Sequence, residues 1–400
     1  MSAAKVRVAA VGLGNRTCKY LSYLMRNRDL AELVAVVDTD PSKIRKAQGM
    51  YSLPSSCCFS SLDGLLSSGL DTDACIIGTP DTSHYELTVK ALNAGWHVLL
   101  EKPMGQTEEQ CKAIAQISAA TGKMVAVCYV LRYHPYFLKL KELSERNDIG
   151  RVRSVVHTEN VGIDRTVHTF VRGPWNRKEM NTSVFFTKCC HDVDLVLWLA
   201  GTDVKNVNPV RGNYVFRPGY APKDVAPRCL QCRIEEKCPY SAVDLYLRRK
   251  DWIKGFVALP GESQDDMLMR VLRDSRYGRC VYDCPENDVV DNHKVTLEME
   301  SGISAEIIMK SLTDNTNRET VIECENAVIH GDETVIEVRF KDDSVTETYD
   351  FGWTRSLGFH AEADFHIVKD FIEAIKEGRT RTRTSSETAL LSHLICLSAE

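Results

Sequence analysis

The chain has no dominant sign of charge. Fifty Lys and Arg stand against 55 Asp and Glu, a formal net charge of −5 over 400 residues. Without a basic field, nucleic acid and anionic membranes are not expected partners. Long apolar runs are also missing. A membrane span needs about 18 uninterrupted apolar residues, and the longest candidate, Leu195–Ala200, falls far short. Glycine and proline are sparse, 23 and 13, and no internal repeat or low-complexity segment is present. Together with 44% hydrophobic and 26% charged residues, this excludes a collagen, a coiled coil and a disordered chain. The start, MSAAKVRVAAVGLGNR, runs into a glycine turn without a small-residue cleavage site, so no signal peptide is expected. The helical pattern runs on to Glu400, so a longer C-terminus is expected.

Cysteine is what the chain does have. Fifteen is an odd number and too sparse for a disulfide scaffold. A reducing, cytoplasmic setting is expected, where clustered cysteines bind metal or do chemistry more often than they pair.

Two or three domains fit this length at roughly 100–200 residues each. The first third alternates short β-branched runs with helical spacing. Strands are expected at Val6–Val11, Leu33–Val37, Ala74–Gly78, His97–Glu101 and Met124–Val130. Helices are expected at Thr17–Arg28, Pro41–Tyr51, Thr82–Asn93 and Thr107–Thr121. This is the pattern of right-handed βαβ units on a parallel sheet. After about residue 130 the pattern changes. Helices at Pro135–Arg146 and His191–Leu199 are joined by strands at Arg151–Thr158, His293–Met299, Ile303–Met309, Thr320–Cys324, Ala327–His330, Thr334–Arg339 and Ser344–Tyr349. Short turns between the later strands argue an antiparallel sheet. Helices Ala361–Glu377 and Glu387–Leu397 close the chain. The expected fold class is α/β, with a doubly wound parallel sheet over 1–130 and an α/β domain over 131–400. A Cys-rich insertion at about 205–285 resists assignment and needs something local to organise it.

Gly12-Leu13-Gly14-Asn15-Arg16-Thr17 nearly fits G-x-G-x-x-G/A after a strand and before a helix. Such glycines let backbone approach a pyrophosphate at a helix N-terminus. Thr17 at the third place implies looser helix–strand packing or a shifted turn. Asp38 ends the second strand, where a carboxylate accepts ribose hydroxyls and repels a 2′-phosphate, favouring NAD over NADP. It could equally cap the helix that starts at Pro41.

Val98-Leu99-Leu100-Glu101-Lys102-Pro103 brings a lysine to the carboxyl edge of the sheet, where doubly wound folds bind ligands. Taken with G-x-G-N-R, Thr79-Pro80-Asp81-x-x-His84, Arg132-Tyr133, Ile149-Gly150-Arg151-Val152, His191-Asp192-x-Asp194 and Ala363-Asp364, the chain resembles the Gfo/Idh/MocA oxidoreductases. The resemblance implies a nucleotide-binding domain joined to an open, mostly antiparallel sheet that makes oligomer contacts. It implies that Gly12, Gly14, Asn15, Arg16, Asp38, Thr79, Pro80, His84, Glu101 and Lys102 surround the cofactor. It further implies that Lys102 reaches the substrate beside the nicotinamide, with Lys102–Pro103 cis.

Oxidising a carbinol needs a hydride acceptor and a base. His191 titrates nearest neutrality and suits the base, and Lys102 suits a developing alkoxide. Asp194, three residues along the same helix, shares the face of His191. Arg132, Tyr133, His134, His168, Arg172 and Trp175 are candidate sugar contacts. One departure stands out: the family usually carries an acid four positions before the histidine, and here that residue is Thr187. Three readings follow: a NAD-dependent sugar or polyol oxidoreductase, a glycoside-cleaving enzyme using transient oxidation, or a non-catalytic nucleotide-binding protein. The first two take a small-molecule carbohydrate.

Cys229-x2-Cys232-x5-Cys238, with Cys280-x3-Cys284 about forty residues on, has the spacing of a tetrahedral structural zinc site. Cys229, Cys232, Cys238 and either Cys280 or Cys284 are the expected ligands, His293 a weaker one. An iron–sulfur cluster or unligated thiols remain alternatives.

Overall fold

The computed structural model describes residues 4–177, 182–284, 290–342, 345–357, 360 and 362–400. Its first sheet is built from β1 (Val6–Val11), β2 (Ala31–Val37), β3 (Cys58–Phe59), β4 (Ala74–Ile77), β5 (His97–Leu100) and β6 (Val125–Val127). All five pairings are parallel, in the order β3-β2-β1-β4-β5-β6. Helices α1 (Asn15–Arg26), α2 (Pro41–Tyr51), α3 (Leu62–Ser67), α4 (His84–Asn93) and α5 (Glu108–Thr121) cross between the strands. Both faces are covered, so β4 reads as a continuous apolar run and β1 as one interrupted only by the half-buried Arg7. The strand order reverses between β1 and β4, which opens a crevice at their carboxyl ends.

After α6 (Pro135–Ser144) the chain enters a second sheet of eight strands. These are β7 (Val152–Gly162), β8 (Val204–Gly212), β9 (Asn292–Met299), β10 (Ser304–Thr313), β11 (Asn317–Cys324), β12 (Ala327–Gly331), β13 (Val335–Phe340) and β14 (Thr346–Asp350). Their order is β14-β13-β12-β11-β7-β10-β9-β8. The sheet is mixed rather than purely antiparallel: β10 runs parallel to β7, and the other pairs are antiparallel. The short turns visible in the sequence fix only neighbouring hairpins; β7 comes from far upstream, Ser154 pairing with Ser304, and inserts between two of them. Between β7 and β8 lie a short helix, α7 (Ile163–Arg165), and the long helix α8 (Val184–Ala200). α8 starts seven residues before the expected His191, capped by Ser183 Oγ, which accepts from Phe186 N. Ser344 and Ala361, where a strand and a helix were expected to begin, lie outside the described residues, as does Asp343 in the expected turn.

The last two helices, α10 (Ala363–Lys376) and α11 (Ser386–Ser398), return to the first sheet. Ile367, Val368, Phe371 and Ile372 share one core with Val8 and Leu24. Sequence position alone would have grouped them with the second sheet.

The segment that resists assignment has its own small core. Its helix α9 (Gln264–Asp274) buries Met267, Leu268 and Leu272 against Val171, Leu245, Tyr246 and Val281. Packing therefore organises much of it.

Burial holds His134, His293 and His393 down to about 4. These rings are neutral when folded and would take up protons on unfolding near pH 5. The unfolded state thus binds more protons between about pH 4 and 6.5, so stability falls as pH falls through that window. Thermal unfolding at about pH 7.5 and about pH 5 should show a midpoint several degrees lower at the acid end. An unchanged midpoint would contradict the buried neutral histidines.

Candidate active site at the crevice

The first turn is shaped for an anion. Gly12 has φ +82°, and a Cβ there would lie 2.8 Å from Gly78 O and 2.7 Å from Thr79 Cγ2. Only glycine satisfies both the backbone conformation and that close approach. Gly14 is the N-cap of α1 and no side chain caps the helix, so its first N–H groups are left for a phosphate. Thr17 does not loosen the packing: it is fully buried, and the missing Cβ of Gly78 makes room for its hydroxyl. Asp38 does not cap α2; Asp40 does, accepting from Ser42 N at 2.8 Å. Asp38 instead accepts from Leu13 N at 2.7 Å and Asp40 N at 2.9 Å, which holds its carboxylate at the nucleotide turn. These residues fit a dinucleotide.

At the end of β5, Glu101 is buried and accepts from Arg16 Nε at 2.9 Å and Tyr20 Oη at 2.5 Å. Arg16 also donates to Asp364 on α10 at 2.6 Å. Arg16 and Glu101 are therefore paired to each other and chiefly position the turn. Desolvation raises the proton affinity of Glu101, but Arg16, Tyr20 and Lys102 outweigh it, and the carboxyl lies below its ordinary range. His84 is fully buried, its ring nitrogens 2.7 Å from Pro103 O and 3.0 Å from Thr79 O. It clamps the Thr79-Pro80 turn to the Lys102–Pro103 peptide, which is cis. Pro80 caps the short turn Asp81–Ser83, and Ser83 Oγ donates to Thr79 Oγ1 at 2.7 Å.

A cleft of about 760 Å³ opens between the two sheets, with Asn15, Thr79, Lys102, Lys188, His191 and Arg318 on its walls. Lys102 Nζ donates to Thr187 O at 2.7 Å. Thr187 thus meets the lysine with a main-chain carbonyl where the resemblance implied an acid, while its hydroxyl pairs with Thr182 Oγ1 at 2.8 Å. His191 Nδ1 is buried without a hydrogen-bond partner. Burial, then the charges of Lys102 and Arg318, push the His191 pKa well below its ordinary 6.5. The imidazole is neutral at pH 7 and able to accept a proton.

Several expected sugar contacts lie elsewhere. Arg132 and Asp194 form a buried bidentate pair at 2.6 and 2.8 Å, so neither faces the cleft. An unpaired charge at either place would be costly to bury. Tyr133 Oη donates to Asp370 on α10 at 2.7 Å. His168 sits among aromatic rings, bonded to Tyr246 Oη at 2.9 Å and stacked on Tyr277 at 5.1 Å, in a neighbouring groove. Arg172 is fully buried and braces the insertion, donating to Arg279 O at 2.8 Å and Tyr240 O at 2.6 Å. Trp175 does reach the cleft wall.

The cleft also holds residues that sequence reasoning passed over. Lys188 on α8 pairs with the buried Glu159 on β7, 2.5 Å away. Arg318 on β11 spans Glu159 at 3.0 Å and Asp192 at 2.6 Å. Arg165 and Trp252 complete this wall. Lys188 had read as filler between Thr187 and His191. Arg318 lies just before the strand expected at Thr320–Cys324 and was given no role. Helical phase is the one signal that could have found Lys188, because it lies four residues before Asp192.

The expected zinc site is not shown by the structure. Among the described residues no three His, Cys, Asp or Glu side chains are disposed to hold a metal ion. Cys229, Cys232, Cys238 and Cys280 do line one cavity of about 20 Å³. Cys229 Sγ is occupied by Arg172 at 3.5 Å, and Cys284 Sγ donates to Cys280 O at 3.4 Å, which takes Cys284 out of the set. All fifteen cysteines are free thiols. His293 is buried against Phe185, away from the cluster.

Comparison with known proteins agrees with this fold. Residues 6–129 match the model of the Gfo/Idh/MocA group, described as an oxidoreductase family with an NAD-binding Rossmann fold. The chain is 30% identical over 213 residues to a 1-carboxy-3-chloro-3,4-dihydroxycyclohexa-1,5-diene dehydrogenase of Comamonas testosteroni, covering 52% of this chain and 51% of the relative. It is 27% identical over 212 residues to inositol 2-dehydrogenase 3 of Saccharopolyspora erythraea, covering 52% and 57%. The match thus spans about half the length of these relatives. In fold the similarity is broader. An oxidoreductase from Agrobacterium radiobacter, solved with NAD+, L-tartaric acid and magnesium, superposes with a TM-score of 0.72 at 13% identity, over 99% of this chain and 95% of that one. A myo-inositol 2-dehydrogenase from Lactobacillus plantarum gives 0.67 at 15% identity, over 99% and 96%.

Gly12→Ala should abolish dinucleotide binding. The added methyl meets main chain that cannot yield, and the left-handed φ costs about 1–2 kcal/mol more. Fluorescence titration with NAD would check this; binding within twofold of the parent would refute the turn as the phosphate site.

Proposed function

We propose that this chain, whose residues 6–129 match the Gfo/Idh/MocA oxidoreductase family model, is a NAD-dependent oxidoreductase acting on a sugar or polyol hydroxyl. The observation that carries this reading is the placement of Lys102 and His191 on one cleft with the Gly12–Gly14 turn. Inositol dehydrogenases among the relatives support the substrate class. A dinucleotide held by its pyrophosphate at the turn would supply a nicotinamide as the hydride acceptor. His191 takes the hydroxyl proton, since its depressed pKa leaves a ring nitrogen unprotonated. Lys102, held by the Thr187 carbonyl, puts an ammonium beside the oxygen that gains negative charge. Asp38 favours NAD, because its carboxylate repels a 2′-phosphate.

Initial rates on a panel of sugars and polyols test this. NADH should form with NAD at least about tenfold more efficiently than NADPH forms with NADP. His191→Ala should lower kcat by about 10²–10⁴. Because the His191 pKa is depressed, kcat/KM should stay level from about pH 8 down to about 6.5. NAD binding without turnover, unaltered in His191→Ala, would leave a nucleotide-binding protein instead.

The four thiols around one small cavity support a zinc ion as a structural ligand, a reading that requires Arg172 to release Cys229. The second sheet buries one face and leaves residues such as Thr296 and Ile308 half-exposed on the other, which supports a homo-oligomer through that face. Fifteen thiols suit a reducing cytoplasm. No described helix is long and apolar enough to cross a membrane. Native mass spectrometry of freshly purified protein reads both proposals and should give a multimer with one zinc per chain. A metal-free monomer would remove both.

A further inference from the structure

The cleft continues past its substrate side. Trp252 lines it and also lines a neighbouring groove of about 880 Å³, so the two spaces meet at one indole. Gln264 and Met267 of α9 are on the groove wall, which is therefore built from the insertion. Lys102 and His191 line the cleft and not the groove.

The indole is presented at a cost to the backbone. Trp252 stays 42% exposed, and Trp252 and Lys250 have φ of +58° and +56°. Bulky L-residues seldom adopt that left-handed region, and such strain gathers at ligand clamps. Three bonds fix the turn: Arg249 Nη1 donates to Asp164 Oδ2 at 2.7 Å, Lys250 Nζ to Asp265 Oδ1 at 2.7 Å, and Asp251 N to Leu245 O at 2.9 Å. The His168 ring lies 5.1 Å from the indole and stacks in turn on Tyr277 at 5.1 Å. Burial holds His168 down to about 4, so it supports the indole as a neutral ring rather than as a cation. Trp252 is thus a braced aromatic surface, which lowers the entropy cost of binding a ligand against it.

The lining suits a saccharide ring. Trp252 and Phe256 offer apolar faces to the C–H side of a pyranose. Beside them Lys254 offers donors, Gln264 an amide with both donors and an acceptor, and Asp251 a carboxylate whose Oδ2 meets Arg249 Nη1 at 3.1 Å. Ring hydroxyls can satisfy both kinds of group. A wholly apolar occupant would cover them without pairing them.

We propose that the substrate is a glycosidically linked saccharide of two or more rings, whose terminal ring is oxidised between Lys102 and His191 while the next ring lies on Trp252 in the groove. This rests on the oxidoreductase reading and deepens it. The terminal ring gives up a hydride to the nicotinamide and a hydroxyl proton to His191, becoming a ketone, and the glycosidic bond stays intact.

The test compares disaccharides with the methyl glycosides of their terminal rings at saturating NAD: maltose and cellobiose with the methyl glucosides, and lactose with methyl β-galactoside. Phenyl β-glucoside is the apolar arm and UDP-glucose the nucleotide arm. At least one disaccharide should exceed its methyl glycoside in kcat/KM by about tenfold or more. Trp252→Ala should reduce that ratio to below about threefold, and Trp252→Phe should restore part of it. Gln264 lines the groove and not the cleft, so Gln264→Ala should lower the ratio as well, by about threefold. Circular dichroism and NAD affinity report whether each variant is folded. Where turnover is too slow to compare, calorimetric titration of the same pairs into NAD-loaded protein gives the ratio as affinities. Methyl glycosides equal to or better than every disaccharide would overturn the inference and leave the oxidoreductase reading intact. So would phenyl glucoside or UDP-glucose as the best ligand, or a disaccharide preference that survives both alanine variants. NAD binding with no saccharide bound would also overturn it. Failure to bind NAD would remove both.

Discussion

One buried carboxylate, Glu101, holds the cleft in register. It ends β5 and receives Arg16 and Tyr20 from α1, while Arg16 continues to Asp364 at the start of α10. Three segments far apart in sequence, the glycine turn, the Glu101-Lys102-Pro103 edge and the returning C-terminal helix, are thereby fixed to one another. Breaking a buried pair by removing one partner costs about 3–5 kcal/mol. Lys102 inherits its place from this node, being the next residue along. Its ammonium then meets the Thr187 carbonyl from the opposite wall.

α8 is the second wall and an unusual helix, buried on nearly every side. Burial forces each of its charges to find a partner. Asp194 turns toward Arg132, near the first sheet. Lys188 and Asp192, one turn apart, face the second sheet and meet Glu159, His157 and Arg318. His191 lies between these two commitments, at the cleft, with Nδ1 unpartnered. A neutral, desolvated imidazole is the consequence, and it is also what proton abstraction requires.

The insertion contributes to the same site from outside. Arg172 ties its loops to the helical segment after β7, and the aromatic cluster of His168, Tyr246 and Tyr277 supports Trp252 at the cleft mouth. Residues that resemble sugar ligands by type are here the scaffold of the cleft wall. Arginine and histidine are as able to brace main chain and aromatic rings as to bind hydroxyls, and sequence does not separate those uses.

The first sheet was legible in the sequence almost strand by strand, because parallel βαβ units write themselves in local periodicity and glycine punctuation. The turn at Gly12, the acceptor at Asp38, and Lys102 at a strand edge followed from the same local rules. The second sheet was legible as strands but not as a sheet, since β7 pairs with the distant β10, Ser154 opposite Ser304. The end of the chain looked like part of the second domain until α10 was seen in the core beside β1. Arg132, Asp194, Arg172 and His168 carried the right chemistry in the wrong place, and Lys188 and Arg318 the reverse. Sequence by itself determined which chemical groups are available and the local turns that present a dinucleotide. Tertiary structure alone decided which charges neutralise each other and which face the ligand, because pairing of buried charges depends on distances across sheets that no spacing along the chain records.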